Sequence, residues 1–346
     1  MSGIVSYSGL TTKIMAMRSR LLTRDELHEV TMQENVPAVV SYLKKKPAYS
    51  GILEIVVPSE IHRGQVEPIL RETVYRDFNK IYLFANQEQR QFLKAYFMRY
   101  EVYFLKECLA RLFDQNHTPV NVTPFETYFH RLSPLRFEQL RSAESMGEFL
   151  EILKNTKYYA PLCRVMHLDR KSLFDYEAAL DLYSFSCFWK EKDVIADGVD
   201  REELTEILGS KFEMLNMQWI YRCKRYYKMS RAEIFSILIP LNYHISKKEL
   251  TEMVDAEDLP ALIRCVEKSF YGHAFGAADP ERIEADYSAY MKKILKKGSR
   301  REPYSLATIY SYLYTKEHEV DELIIALECV RYKVAGPDAM RHLLVR

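Results

Sequence analysis

Nine histidines, six cysteines and 48 carboxylates give this chain ample material for chemistry, and none of it stands at a reactive spacing. Cradling a phosphate in backbone N–H groups needs a glycine-rich loop, GxxxxGK[ST] or GxGxxG, and neither occurs. His28-Glu29 begins like the helix of a zinc hydrolase but lacks the second histidine one turn later. The cysteines, at 108, 163, 187, 223, 265 and 329, form no CxxC pair and share no histidine spacing that would assemble a zinc site. They read as buried free thiols in a reducing compartment. There is no GxSxG elbow to strain a serine into a nucleophile. Neighbouring carboxylates, Asp255 with Glu257 and Asp258, or Glu317 with Glu319, have the spacing of capped and solvated helix faces. The sequence therefore predicts no catalytic residue, no metal ligand and no cofactor. A constellation assembled from distant residues would be invisible to spacing.

One concentration of charge stands out: Lys292, Lys293, Lys296 and Lys297, followed by Arg300 and Arg301. Such a run suits either an anionic headgroup surface or a helix C-terminus, where lysines offset the negative end of the macrodipole. Globally the charge is balanced at a net of +1, so no basic field for nucleic acid exists. The segment MSGIVSYSGLTTKIMAMRSRLL has no apolar run of signal-peptide length, and no stretch reaches eighteen uninterrupted apolar residues. A soluble, cytosolic protein is expected. Asn116-His117-Thr118 and Asn121-Val122-Thr123 match the glycosylation pattern, but without a secretion signal they are expected to carry no sugar.

The elements that must carry these residues come from a repeat. Glu26 to Leu43, Arg136 to Leu153 and Glu249 to Val266 share one apolar register: Leu27, Phe137 and Leu250, then Val30, Leu140 and Met253, then Val36, Met146 and Leu259. The register continues through Val39, Phe149 and Leu262, Val40, Leu150 and Ile263, and Leu43, Leu153 and Val266. Steps of three and four put one apolar stripe on each helix. Between the stripes stand Asn35, Ser145 and Asp258, whose side-chain oxygens can cap a second helix, with Pro37 and Pro260 in its first turn. Glu101-Val102 with Leu105 and Leu109, Glu213-Met214 with Met217 and Tyr221, and Glu319-Val320 with Leu323 and Leu327 repeat in the same order. Spacings of roughly 110 residues predict a threefold tandem of helical units, 1–115, 116–228 and 229–346.

Eleven glycines and 13 prolines are few against the roughly 12% of a typical chain, which favours long helices. Helices are expected at about 10–22, 66–84, 88–113, 171–192, 201–227 and 304–334. Ser230 should cap another, and a last short helix is expected to reach Leu344. Ile52 to Val57 leans towards β structure and ends at Pro58. DQNHTPVNVTP, 114–124, is a seam between units, and GHAFGAADP, 272–280, a loop.

Beside this reading stands a likeness. An opening tyrosine and helix running into SRLLTRDEL (Ser19 to Leu27), then RYEVYFLKECL (Arg99 to Leu109), KFEMLNMQWIYRCKRYYKMS (Lys211 to Ser230) and the ending YLYTKEHEVDELIIALECVRYKVAGPDAMRHLL carry it over almost the whole chain. In these the chain resembles the C subunit of the archaeal and bacterial A/V-type rotary ATPases, known as the d subunit in the eukaryotic enzyme. It departs from that family in the glutamate-led helices, where an Asn common in the family is kept at Asn216 but replaced by Phe104 and Glu322. The Asp321-Glu322 pair likewise stands in place of a basic residue and Asn.

The resemblance implies an all-α fold of three homologous helical bundles about a pseudo-threefold axis, arranged as a funnel. It implies a non-catalytic central-stalk subunit of a V-type ATPase or ATP synthase, peripheral on the cytoplasmic face of the membrane. Its partners would be the membrane rotor-ring subunits and the central-axle subunits, with ATP-linked proton or sodium transport carried out by the complex. A different reading of the same helices is a soluble scaffold or adaptor protein of another assembly.

Overall fold

The computed structural model describes residues 2–340 except 55, 59–60, 62, 115–119, 169–170, 275–282, 335 and 337–338. Among the described residues the regular structure is helical throughout and contains no strand. In chain order the α-helices are α1 (Ser2–Arg18), α2 (Arg24–Thr31), α3 (Val36–Leu43), α4 (Ser50–Leu53), α5 (Arg63–Phe84) and α6 (Gln87–Phe113). They continue with α7 (Thr123–Phe129), α8 (Phe137–Ser142), α9 (Met146–Leu153), α10 (Tyr159–Met166), α11 (Leu173–Ile195) and α12 (Gly198–Arg222). The last are α13 (Arg231–Ile237), α14 (Lys247–Asp255), α15 (Leu259–Lys268), α16 (Ile283–Arg301) and α17 (Leu306–Arg331).

All three expected breaks are built as the sequence requires. Asn35, Ser145 and Asp258 lie in extended backbone and accept the N–H of Ala38, Glu148 and Ala261 at 2.9, 3.2 and 2.7 Å. Each thereby satisfies a helix-terminal donor that has no partner within the helix. Thr23 with Glu26, Ser230 with Glu233 and Ser246 with Glu249 close reciprocal capping boxes on α2, α13 and α14.

The chain groups into two compact units. Unit 1 comprises Met1–Asn86, Glu202–Ile207 and Phe270–Arg346, and α17 runs through its core. Helices α1, α2, α3, α5 and α16 all pack on α17. Buried residues cover most of its circumference, from Leu306 to Val330, and leave one narrow side on which Thr315 and Asp321 are exposed. Unit 2 comprises Gln87–Arg201 and Leu208–Ser269. There α6 plays the same part, lying against α11 and α8, with Phe104 between Phe125 and Phe137 at centroid distances of 4.9 and 5.0 Å. In α12, Gly209 faces Tyr243, and a Cβ there would stand 2.6 Å from the ring, so only glycine admits this approach.

Three expectations fail locally. The described residues of Ile52 to Val57 form no strand: Ser50–Leu53 form α4, beside the buried Tyr49, and Lys44 Nζ donates to the Glu54 and Val56 carbonyls at 3.1 and 2.8 Å. Helix α1 ends at Arg18 rather than near residue 22, since the Leu22 N–H is taken by Glu319 and Thr23 already caps α2. The helix expected over 201–227 closes as α helix at Arg222 and continues in a wider π-turn, Cys223–Tyr227, ending on Lys228 at φ 49°. Of the six free cysteines, Cys108, Cys223 and Cys329 are buried, while Cys163, Cys187 and Cys265 are only partly so. The first glycosylation pattern, most of GHAFGAADP, most of the seam's first half and the end of the last expected helix lie outside the described residues.

Candidate functional site

The three glutamates that mark the sequence repeat are all buried, and each ties its helix to chain far away in sequence. On α6, Glu101 accepts the Tyr158 hydroxyl at 2.5 Å and the Ser133 hydroxyl at 2.6 Å, and pairs with Lys157 at 3.0 Å. Glu213 on α12 accepts the backbone N–H groups of Tyr243, His244 and Ile245 at 2.6, 2.9 and 2.9 Å. Glu319 on α17 accepts the Leu22 N–H and the Tyr49 hydroxyl, both at 2.5 Å, and the Lys316 ammonium at 2.9 Å. Each carboxylate thus fixes the chain beside a helix pair: α8–α9 for Glu101, α14–α15 for Glu213 and α2–α3 for Glu319. Burial, and then the neighbouring carboxylate, push the Tyr49 and Tyr158 hydroxyls far above their ordinary value, so both remain donors.

Three residues beyond each glutamate the side chains diverge. Phe104 fills apolar core. Asn216 clamps Ile239, donating to its carbonyl at 2.9 Å and accepting its N–H at 2.8 Å. Glu322 pairs with Lys292 and His318, each at 3.2 Å. Burial alone would raise the Glu322 carboxyl, but the His318 and Lys292 contacts override it and hold it below the ordinary value.

Two cavities accompany these clamps. Unit 1 holds one of about 570 Å³ walled by the end of α1, the start of α2, α16 and α17. Unit 2 holds one of about 420 Å³ lined by Phe174, Trp219, Tyr227 and Ile237, with the Lys106–Asp181 pair (2.7 Å) on its wall. Burial raises the Asp181 and Glu177 carboxyls there, against the pull of Lys106. Among the described residues no group of histidine, cysteine and carboxylate side chains could hold a metal ion. Burial pushes the Cys108 thiol up to about 12, away from thiolate chemistry. The arrangement positions helices, and on the wall of the unit 1 cavity it also aligns a hydroxyl, an imidazole and a carboxylate: Ser288 Oγ lies 3.0 Å from His318 Nε2, and His318 Nδ1 lies 3.2 Å from Glu322.

Half of the basic run of α16 is paired. Lys292 meets Glu322, Lys297 meets Glu206 at 2.8 Å and Arg301 meets Glu203 at 3.3 Å. Helix α16 extends to Arg301, so only Arg300 and Arg301 of the run sit in its last turn.

A family model described as ATP synthase (C/AC39) subunit matches residues 10–341. The chain belongs to this family. Relatives of this C/AC39 chain include the A-type ATP synthase C subunit of Methanocaldococcus jannaschii, 20% identical over 99% of this chain and 87% of that protein. The corresponding C subunit of Pyrococcus furiosus is 23% identical over 98% and 90%. Against that of Methanosphaera stadtmanae the identity is 23% over 60% of this chain, which spans 56% of that protein's length. No helix among the described residues of the C/AC39 chain is long and apolar enough to cross a membrane.

The three glutamates are visible in the sequence as repeat markers, but their partners are not. Tyr49 and Tyr158 had a discernible signal, each following the last apolar residue of its helix pair within six residues. Lys316 had none: the equivalent positions are Met98 and Ser210.

Proposed function

We propose that this chain is a non-catalytic central-stalk subunit of an A/V-type rotary ATPase. It acts as a socket that couples the axle subunits to the membrane rotor ring, peripheral on the cytoplasmic face. The observation that carries this reading is the family match across residues 10–341, together with relatives from several archaea that are each the C subunit of an A-type ATP synthase. A torque relay needs stiffness and broad contact rather than a reactive group. Two units with a core helix buried over most of its circumference, clamped by buried carboxylates, supply the stiffness.

The socket is read as a threefold tandem over 1–115, 116–228 and 229–346, with a pseudo-threefold, funnel-like arrangement. Its support lies in the three caps and in the three glutamates that each serve one helix pair. A threefold body between a ring and an asymmetric axle makes inequivalent contacts, and the divergence at Phe104, Asn216 and Glu322 has that character. Equivalent partner contacts on all three units would contradict it.

The test is to tag the chain in its native cell, solubilise membranes in mild detergent and identify what it brings down by mass spectrometry. Recovery of membrane ring, axle and ATPase catalytic subunits is expected. Recovery of unrelated soluble proteins alone would overturn the rotor reading and leave a helical scaffold.

A further inference from the structure

The unit 1 cavity carries more positive charge than its own carboxylates neutralise. Arg18, Arg24, Lys292 and Lys296 line it, against Glu319 and Glu322. Glu319 is already balanced by Lys316, which lies behind it in the core, so one carboxylate faces four cations. Arg18 is the decisive residue. It is half-buried, yet among the described residues its guanidinium meets no carboxylate within ion-pair reach; its hydrogen bond is to the Ser311 hydroxyl at 3.0 Å. Burial lowers its pKa, the sign of a charge held without compensation. A half-buried guanidinium in that condition is poised for an anion, and its planar fork matches phosphate oxygens two at a time. Lys292 and Lys296, one turn apart on α16, line the same space, where the Lys292 ammonium lies 3.2 Å from Glu322.

Size and lining narrow the ligand further. A volume of about 570 Å³ is far larger than an inorganic anion and lies within the range of small-molecule sites. Leu21, Leu27, Leu295 and Tyr314 give one part of the wall an apolar character. We propose that this cavity binds a phosphate ester, its phosphate held by Arg18, Lys292 and Lys296 and its organic part against the leucines and Tyr314. The phosphate is carried either by a soluble ester or by a lipid headgroup. This goes beyond the rotor reading and does not depend on it.

The test uses the full chain at fixed ionic strength. Calorimetric titration with AMP and with ATP probes the soluble source; co-sedimentation with phosphatidylcholine vesicles containing phosphatidylinositol 4-phosphate probes the headgroup. At least one probe is expected to bind, with Arg18→Gln and Lys296→Gln each weakening it about tenfold or more. Lys293→Gln, on the same helix but outside the cavity, should leave it unchanged. Binding in the titrations assigns a soluble ester, and binding to vesicles alone assigns a headgroup. The proposal is overturned if no probe binds, or if Lys293→Gln weakens binding as much as Lys296→Gln, which marks surface charge alone. Lys296 is exposed, so its variant decides the matter even where Arg18→Gln fails to fold.

Discussion

At Glu101 the balancing ammonium, Lys157, is 36% exposed, whereas at Glu319 the ammonium of Lys316 is 1% exposed, although both carboxylates accept a tyrosine hydroxyl at 2.5 Å. Lys316 also donates to the Tyr49 hydroxyl at 2.8 Å and lies 4.1 Å from the centre of that ring. Unit 1 therefore encloses a complete charge pair, and unit 2 leaves half of its pair in water. The carboxylate and its tyrosine are repeated; the counter-charge is local to each unit. Water already stabilises Lys157, so its pair adds little. Lys316 depends instead on Glu319 and the Tyr49 hydroxyl, and burial lowers its pKa against the pull of that carboxylate.

The largest loss is expected from Lys316→Met, which leaves Glu319 buried without its cation. Loss of roughly 3–5 kcal/mol of unfolding free energy is expected in chemical denaturation. A loss below about 1 kcal/mol would mean that Tyr49 and the Leu22 N–H suffice for the carboxylate.

Next comes Glu213, the node that holds backbone amides where the other two hold tyrosine hydroxyls. Glu213→Gln removes the charge from bonds to three successive N–H groups, and about 1.5–3 kcal/mol should be lost. Hydrogen exchange at Tyr243, His244 and Ile245 should rise with it; unchanged protection there would show that the loop holds its shape without the carboxylate.

Lys157→Met should cost at most about 1 kcal/mol, shrinking as salt is added. A loss matching that of Lys316→Met would erase the distinction between the two nodes.

The smallest effect concerns carboxylates outside the core. A hydrogen bond from Lys46 to Glu26, and hydrogen bonds from Ser230 and Ser246 to Glu233 and Glu249, hold these three below their ordinary value of 4.5. Because the folded values are depressed, their contribution is present above that pH and is lost as the pH falls through the folded values. The thermal midpoint should decline on the acid side, and Glu249→Gln should flatten part of that decline. Identical acid slopes for variant and parent would remove the cap from the account.

Local interactions made much of the fold legible in the sequence. Asn35, Ser145 and Asp258 act within three residues of themselves, so their caps follow from residue type and position, as do the apolar stripes around them. The glutamates were legible as a recurring mark, but their roles were not. Glu319 meets Leu22 from 297 residues away, and Glu101 meets Tyr158 from 57, distances at which spacing says nothing about contact. Ile52 to Val57 misled because β-branched residues express a preference for a packed sheet, and no strand among the described residues offers one.

Residue order alone carries the helical class, the capped breaks and the likeness that the family match bears out, because each rests on sequence pattern or on interactions within a turn or two. Tertiary structure alone decided which lysine is enclosed and which stays wet, that Arg18 meets no carboxylate among the described residues, and that four cations gather around one cavity. Those properties depend on burial and on where distant helices meet, and a charged side chain looks the same in sequence whether water or a helix lies beside it.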